Sequence, residues 1–226
     1  IAFSIDELII LDVSRGDRNT EKFYDNIRLL NDECFIPIAA GGGIREVRHA
    51  SNLLKSGADK VVINSLVGED MSVISEIASE FGQQSIVASV DVKLINNEFT
   101  IWTNNGEVKQ SQNLFKWLKY IEKAPIGEVY LNSIDRDGTG HGYQIELIEK
   151  IPDLFSLPVI LAGGAGKYSH FPEALDYEKI DAVATANLFN FIGDGLEKNR
   201  KKLLAENFKL PSWDVGLAKN LKNSCN

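Results

Sequence analysis

The sequence has few of the residues that bind metals or form cross-links. Its 226 residues include two cysteines and three histidines. Cys34 and Cys225 are far apart in the chain, and none of the histidines has the spacing to a Cys or Glu that a metal site requires. We therefore expect no metal and no organic cofactor. Two distant thiols are typical of a reducing compartment, so we also expect a cytoplasmic protein.

Excess basic charge and long apolar runs are absent as well. The chain has 24 Lys and Arg against 32 Asp and Glu, a net charge of −8. This acidic balance argues against a nucleic acid or an anionic membrane as partner. The sequence contains no run of about 18 apolar residues, which a transmembrane helix would need. Any phosphate that the protein binds must therefore be held by local backbone geometry.

Short apolar segments that alternate with amphipathic ones dominate the sequence. With 44% hydrophobic and 25% charged residues, the composition is that of a globular domain. Alternation of this kind predicts parallel strands joined by right-handed crossovers. The predicted strands are Glu7–Val13, Ile36–Ala40, Lys60–Asn64, Ser85–Asp91, Glu128–Ile134, Pro158–Ala162 and Asp181–Ala186.

Helical spacing and one hairpin pattern lie between these strands. The segment Lys93–Gly106 alternates like a hairpin with Asn-Asn turns, so we predict a loop insertion over one face. Three apolar faces have the spacing of amphipathic helices. They consist of Val47, Ala50, Leu53 and Leu54; of Val73, Ile74, Ile77 and Ala78; and of Leu114, Trp117, Leu118 and Ile121.

The chain contains a twofold repeat with an offset of 121 residues. The stretch AGGGIR at 40–45 has a similar counterpart in AGGAGK at 162–167, and the offset of 121 aligns Gly42-Gly43 with Gly163-Gly164. With the same offset, Pro37 falls on Pro158, and the strand from Glu7 falls on the strand from Glu128. Two similar halves of βα units predict an α/β fold, a (β/α)8 TIM barrel made of two half-barrels.

The repeat also lacks one member. The strand that ends at Asp91 should have a counterpart 121 residues earlier, which would lie before Ile1. Seven strands do not close an eight-stranded barrel. We therefore expect residues 1–210 to form a single barrel domain without its first βα unit, and residues 211–226 to form a C-terminal tail.

A carboxylate and two glycine loops follow the strands, at the end where barrels of this type carry their active sites. Asp91 ends an apolar strand, the position of a general acid or base, although capping of the next loop is an alternative. Gly42-Gly43 beside Asn64-Ser65 would form one anion site. Asp137-Gly138, Gly163-Gly164 and Asn187 would form the matching one. Two such sites predict an elongated substrate with two phosphates, unless the glycines only make tight turns.

Charged residues and one glutamine mark the opposite ends of the strands. Glu7, Asp59, Lys60, Gln84 and Glu128 lie at or next to strand starts, where such residues commonly form a solvated rim or a set of salt bridges. From position alone, these two alternatives remain open.

Together these segments resemble the cyclase subunit of imidazole glycerol phosphate synthase, a family of histidine-pathway (β/α)8 barrels that receive ammonia from a glutaminase. The resemblance covers about Ile5 to Phe191. It is carried by IDELIILD, GGGI, GADKVVINS, SVDVK, GEVYLNSIDRDGTGHGY and AGGAG, in this order and spacing.

The resemblance implies roles for individual residues. It makes Asp91 one of two catalytic carboxylates and implies a glutaminase partner and a bisphosphorylated substrate. The residues implied at one phosphate are Gly43, Asn64 and Ser65, and those at the other are Asp137, Gly138, Gly164 and Asn187. The residues implied at the ammonia gate are Glu7, Lys60 and Glu128, with Asp59 and Gln84 near the docking surface for the glutaminase.

The sequence departs from the family pattern on the substrate face, where we also place Asp12. The second catalytic Asp of the family lies on a first strand that this chain lacks. Gln144 stands where the family has Asp, and Asn105 where it has Ser. An alternative is therefore a related barrel that passes ammonia to an amidotransferase of surface sugars. The isomerase of the preceding histidine step ranks third, because it needs no ammonia rim.

Overall fold

Seven parallel strands form the main sheet. The computed structural model describes residues 5–33, 35–186 and 195–210, without the side chains of 195–198. The parallel strands, in their spatial order, are β1 (Leu8–Leu11), β2 (Ile38–Gly41), β3 (Lys60–Ile63), β4 (Ile86–Ile95), β7 (Glu128–Ser133), β8 (Val159–Ala162) and β9 (Ala182–Val183). Two further strands, β5 (Glu98–Thr103) and β6 (Val108–Asn113), extend β4 in antiparallel fashion.

Helices connect the parallel strands. They are α1 (Thr20–Glu33), α2 (Val47–Lys55), α3 (Ser65–Glu69), α4 (Met71–Phe81), α5 (Leu114–Ile121), α6 (His170–Leu175) and α7 (Gly195–Ala205), with 3-10 turns at Gln83–Ser85 and Ile145–Lys150. The three predicted helical faces are confirmed, because α2, α4 and α5 all bury them. Local caps set where helices begin: Asp70 accepts a hydrogen bond from Ser72 N at 2.9 Å, and Asn113 accepts one from Lys116 N at 3.0 Å.

The two faces of the strands pack in different places. On one face, residues such as Val61, Ile86 and Val90 belong to the large core that the helices cover. On the other face, Ala39, Val62 and Val87 form a small separate cluster, against which Ile9 and Tyr130 pack. Because successive residues of a strand point to opposite faces, this cluster lies on the inner side of the sheet.

Contacts across the inner face show that the sheet curls. Lys60 on β3 reaches Glu7, directly before β1, and Glu128 on β7, and both of these strands lie two away from β3. The predicted α/β barrel type is thereby confirmed, with seven parallel strands in the expected order. Within the described ranges β1 pairs only with β2, and β9 only with β8. The expected lack of a first βα unit stays a prediction, and residues 211–226 lie outside the described residues.

The predicted hairpin is present and is longer than the sequence indicated. Strand β4 continues past Asp91 to Ile95, and the chain turns at Asn96-Asn97, which have φ of 50° and 62°. A second turn at Asn104-Asn105, with φ of 53° and 56°, leads into β6. Asparagine tolerates this left-handed region better than most residues, which explains the two Asn-Asn pairs. The polar β6 was not predicted.

The twofold repeat extends to single contacts at the strand starts. The backbone N–H of Ile38 donates to Asp59 Oδ2 at 2.8 Å, and that of Val159 donates to Asp181 Oδ2 at 2.8 Å. The two acceptors hold the first residues of β2 and β8, which correspond in the repeat. Asp59 therefore anchors a strand, a role that its position in the sequence did not reveal.

A second repeated contact lies behind the glycine loops. Gly42 has a φ of +116°, and a Cβ there would lie 2.3 Å from the carbonyl oxygen of Asp12. Gly163 has a φ of +88°, and its Cβ would lie 2.5 Å from the carbonyl oxygen of Ser133. Only glycine fits this close approach at either position.

We expect Gly163→Ala to lower the free energy of unfolding by roughly 3 kcal/mol or more, because backbone strain and a clash with the Ser133 carbonyl combine. Gly138→Ala is the matched control. Gly138 also has positive φ, but nothing lies within 4 Å of its Cβ position. Its substitution should cost roughly 1–2 kcal/mol from strain alone. Urea unfolding of both variants measures the difference, and equal losses would contradict the role of the close contact.

Candidate active site

Asp91 lies at the carboxyl end of the sheet with both carboxylate oxygens occupied. Asn132 Nδ2 on β7 donates to Asp91 Oδ1 at 2.9 Å. Asn64 Nδ2, at the start of α3, donates to Asp91 Oδ2 at 3.1 Å. The two amides hold the carboxylate in one orientation from its two sides. We call Asp91, Asn64 and Asn132 the carboxylate clamp.

Opposing effects set the pKa of Asp91 in the carboxylate clamp. Burial raises the pKa of Asp91 most strongly; the Asn132 hydrogen bond lowers it, the nearby Asp137 raises it, and Lys93 lowers it, with a net rise. Lys93 does not pair with Asp91 directly. Its Nζ lies 4.2 Å from the centre of the Trp102 ring and donates to the Gly106 carbonyl at 3.2 Å. A carboxyl whose pKa is raised toward neutrality is suited to take up and release protons.

Sequence reasoning missed Asn132. The residue directly faces Asp91 in the register between β4 and β7. It lies two residues after Tyr130 and four after Glu128, and so on the same inner face of β7. A polar side chain at an inward position of an apolar strand is the signal that could have identified it.

The first glycine loop lies against an arginine. Gly43 has a φ of +70°, and a Cβ there would lie 3.0 Å from Arg18 Cδ. Arg18 was not predicted; its guanidinium donates to the Asp12 carbonyl at 2.7 Å. Ser65 accepts a hydrogen bond from Asn104 N at 3.1 Å, which joins the hairpin to this corner. Thus Asn64 and Ser65 lie where α3 and the hairpin meet, and Gly43 lies beside Arg18.

The second glycine loop packs against the loop that follows β7. Gly142 N donates to the Gly164 carbonyl at 2.8 Å, and a Cβ on Gly164 would lie 2.1 Å from the Gly142 carbonyl. Asp137 is exposed and its N–H donates to the Ser133 carbonyl at 2.9 Å. Gly138 borders open space, which leaves room for a ligand. Asn187, predicted at the same site, lies outside the described residues.

The three residues predicted for the substrate face have different surroundings. Gln144 is buried; its Oε1 accepts from Arg136 at 2.9 Å and its Nε2 donates to Glu146 at 2.6 Å, so it supports the loop from beneath. Asn105 is exposed at the tip of the hairpin. Burial acts to raise the pKa of Asp12, but hydrogen bonds from Ser14 N and the Arg18 charge outweigh it and lower that pKa.

Lys60 joins two carboxylates at the opposite end of the strands. Its Nζ lies 3.0 Å from Glu7 Oε2 and 2.8 Å from Glu128 Oε1. Burial lowers the pKa of Lys60, but the two carboxylates outweigh it and raise that pKa. Burial raises the pKa of Glu7 despite its bond to Lys60. Glu7 Oε1 is buried and has no hydrogen-bond partner in the described parts of the chain. We call Glu7, Lys60 and Glu128 the rim triad.

The other two residues predicted near the rim differ in exposure. Asp59 uses its carboxylate to hold Ile38 N, so a substitution there would disturb β2 as well as any surface. Gln84 is exposed in the 3-10 turn, with only a long contact of 3.4 Å from its Nε2 to the Phe81 carbonyl. Its role in docking stays a prediction.

We call the carboxyl ends of the parallel strands the mouth of the barrel. The side chains there are suited to proton transfer beside the two glycine loops. No set of three His, Cys, Asp or Glu side chains among residues 5–33, 35–186 and 199–210 is arranged to hold a metal ion. None of the helices that the structure describes is long and apolar enough to cross a membrane. What the mouth offers is the carboxylate clamp between two glycine loops, each of which exposes backbone N–H groups.

Known proteins resemble this chain over most of its length. The family described as "Histidine biosynthesis protein" matches residues 2–193. A protein of Parasynechococcus marenigrum, provisionally named imidazole glycerol phosphate synthase subunit hisF2, is 43% identical over 198 residues, 88% of this chain and 74% of its own. Imidazole glycerol phosphate synthase subunit HisF of Saccharolobus solfataricus is 39% identical over 85% of this chain and 76% of its own. The HisF subunit of Campylobacter concisus is 37% identical over 88% and 79%.

We expect Asn132→Leu to raise the pKa of Asp91 further, because the variant loses the hydrogen bond that most stabilises the charged carboxylate. A carbon-13 NMR titration of the Asp91 carboxyl measures the change. Asn26→Leu, the same substitution at an exposed position of α1, is the control and should leave the titration unchanged. An unchanged Asp91 titration in Asn132→Leu would show that the clamp does not set its protonation.

Proposed function

The chain belongs to the histidine biosynthesis protein family, and we propose that it is the cyclase subunit of imidazole glycerol phosphate synthase. The subunit is a lyase that combines ammonia with a bisphosphorylated ribulosyl-formimino-carboxamide nucleotide. Its products are imidazole glycerol phosphate and aminoimidazole carboxamide ribotide. The observation that carries this function is the position of the carboxylate clamp between two glycine loops at one end of the barrel.

In the proposed mechanism Asp91 moves protons while the imidazole ring closes. The ammonia nitrogen bonds to the ribulosyl carbonyl carbon, and the carbonyl oxygen gains protons and leaves as water. The same nitrogen then bonds to the formimino carbon, and the bond from that carbon to the amine nitrogen of the carboxamide ribotide breaks. Asp91 takes the proton that the attacking nitrogen loses and returns it to the leaving amine. Asn64 and Asn132 keep its oxygens in place during these transfers. The second carboxylate that the family resemblance implies would act from the opposite side of the substrate.

The two glycine loops bind the two phosphates. One phosphate lies against Gly43, Asn64 and Ser65, and the other against Asp137, Gly138 and Gly164, with Asn187 expected there. Backbone N–H groups suit this task in a chain with a net charge of −8, because they attract an anion without a basic field. Arg18 adds a cation to the first loop, because its Cδ, Nε and Cζ lie within 3.0–3.2 Å of the position that a Cβ on Gly43 would take.

A glutaminase partner supplies the ammonia at the opposite end of the barrel. Free ammonia is largely protonated at neutral pH and then is no nucleophile, so it must be delivered without contact with bulk water. The rim triad lies at this end, where Lys60 closes the entrance between Glu7 and Glu128. We infer a cytoplasmic 1:1 heterodimer with a class I glutaminase. Its interface should bury about 1,200–2,000 Å².

A second candidate function is delivery of ammonia to an amidotransferase of surface sugars. Gln144 and Asn105 favour it, since they replace the Asp and Ser of the family pattern on the substrate face. In that case the rim triad would keep its role and Asp91 would have none. Turnover of the bisphosphorylated nucleotide with saturating ammonium separates the two functions: the cyclase converts it, and a barrel that only passes ammonia does not.

We expect Asp91→Asn to lower kcat for ammonium-dependent turnover by roughly 10²–10⁴, the usual contribution of a general acid or base. The control is Asp32→Asn, which removes an exposed carboxylate of α1 and should not alter kcat. A kcat for Asp91→Asn equal to that of the wild type would remove Asp91 from the mechanism.

Lys60→Ala should uncouple the two subunits. It removes the cation between Glu7 and Glu128, so glutamine hydrolysis by the partner should continue while less ammonia reaches the mouth. Glutamine-dependent turnover should fall severalfold, and ammonium-dependent turnover should not change. Lys119→Ala is the control, because Lys119 on α5 pairs with Glu122, directly after the helix, and not with a member of the rim triad. Wild-type glutamine-dependent turnover in Lys60→Ala would mean that the rim triad is only a salt-bridge set.

A further inference from the structure

Two histidines occupy corresponding positions behind the two glycine loops. The backbone N–H of Arg45 donates to His49 Nδ1 at 3.2 Å. The backbone N–H of Gly166 donates to His170 Nδ1 at 3.1 Å. Residues 45 and 166 are 121 apart, and so are residues 49 and 170. In both copies of the repeat, therefore, an imidazole accepts a hydrogen bond from the backbone of the glycine loop, although the sequence around the two histidines differs.

The shared feature is the loop and not the helix that follows it. His49 is the third residue of α2, which begins at Val47, whereas His170 is the first residue of α6. If the two histidines served only to cap a helix, both would stand at the same position in their helices. Instead each histidine keeps its distance from its own glycine pair and receives the N–H two residues after that pair.

Each imidazole accepts in a neutral form. Because Nδ1 accepts the backbone hydrogen, the imidazole proton must be on Nε2. For His49, Nε2 lies 3.2 Å from Glu46 Oε1, which can accept that proton. His170 is buried, and burial, together with the charge of Lys167, lowers its pKa and so favours the neutral ring.

The hydrogen bond to histidine fixes the N–H of Arg45 or Gly166 and leaves the N–H of the glycine two residues before it available. The residue before each bonded N–H is Ile44 or Ala165, and both of these side chains are buried. Each loop is thus held by a buried side chain and by an imidazole. The N–H groups of Gly43 and Gly164 donate no hydrogen bond to any residue in the described parts of the chain. Two N–H groups fixed in matching loops without an acceptor are suited to an anion.

We propose that His49 and His170 are matched positioning residues, each of which holds the free glycine N–H of one loop, that of Gly43 or that of Gly164, in place for one phosphate of the substrate. This inference rests on the proposed function. The histidines do not touch the reacting atoms. They act through the loop backbone, so their loss should weaken binding of the phosphates and leave the chemical step unchanged.

Substitutions by Asn and Gln test the acceptor atom. Asn places an amide oxygen near the position of Nδ1, whereas Gln places one near the position of Nε2. Inorganic phosphate is the probe, titrated into the full chain by calorimetry. The wild type should bind two phosphates. His49→Gln and His170→Gln should each weaken one site about three- to tenfold, the range for one lost hydrogen bond, and leave the other site unchanged. The Asn variants should bind within about twofold of the wild type.

Kinetics and stability distinguish positioning from a structural role. With the bisphosphorylated nucleotide and saturating ammonium, each Gln variant should raise KM by a similar factor without a change in kcat. His141→Gln is the control, because His141 is exposed and its side chain forms no hydrogen bond with the residues that the structure describes. Urea unfolding of every variant is measured alongside.

Three results would overturn the inference. Gln variants that lose stability but bind phosphate like the wild type would make the histidines ordinary structural supports. Equal losses in the Asn and Gln variants would show that the acceptor at Nδ1 does not matter. A wild type that binds no phosphate and does not convert the nucleotide would refute the proposed function itself, and the inference with it.

Discussion

The site depends on one constraint, the close approach of each glycine loop to the carboxyl end of the neighbouring strand, β1 for the first loop and β7 for the second. At Gly42 and Gly163 a side chain would meet a backbone carbonyl at 2.3 and 2.5 Å, so both loops must turn through glycine. This contact places each loop across the carboxyl end of the sheet, with its N–H groups free of the strands. The binding geometry at the mouth is therefore set by backbone packing, which an acidic chain can achieve without clustering cations.

Electrostatics divide the barrel into two polar ends. Asp91 and its two amides lie at one end and the rim triad lies at the other, with Ala39, Val62 and Val87 between them. Glu128 and Asn132 are four residues apart on one strand, which corresponds to roughly 13 Å. The balance differs between the two ends: burial outweighs the Asn132 hydrogen bond and raises the pKa of Asp91, whereas the two carboxylates outweigh burial and raise the pKa of Lys60. The apolar layer separates these two polar ends, so the pKa of Asp91 and that of Lys60 are set by their own neighbours.

The strands, the glycine loops and Asp91 could be predicted because their signals are local. Alternation along a strand and a glycine pair after it can be read within a few residues. The pairing of Asn132 with Asp91 and the anchoring role of Asp59 could not, since each depends on which distant residue lies opposite in the register. Arg18 could not either, because its loop approaches Gly43 only in the folded chain. Strand β6 was missed for a related reason, because the polar sequence VKQSQN pairs with the hairpin and is not in the core.

The same repeat explains how the two copies share in building the site. Each half supplies one glycine loop, and the two loops are built alike down to the histidine behind them. Asp91 lies on the first strand of the second copy and receives one amide from each copy, from Asn64 of the first and from Asn132 of the second. A single half could form a phosphate loop, but it could hold only one oxygen of the carboxylate. The clamp therefore exists only where both copies meet, which ties proton transfer to the assembled barrel.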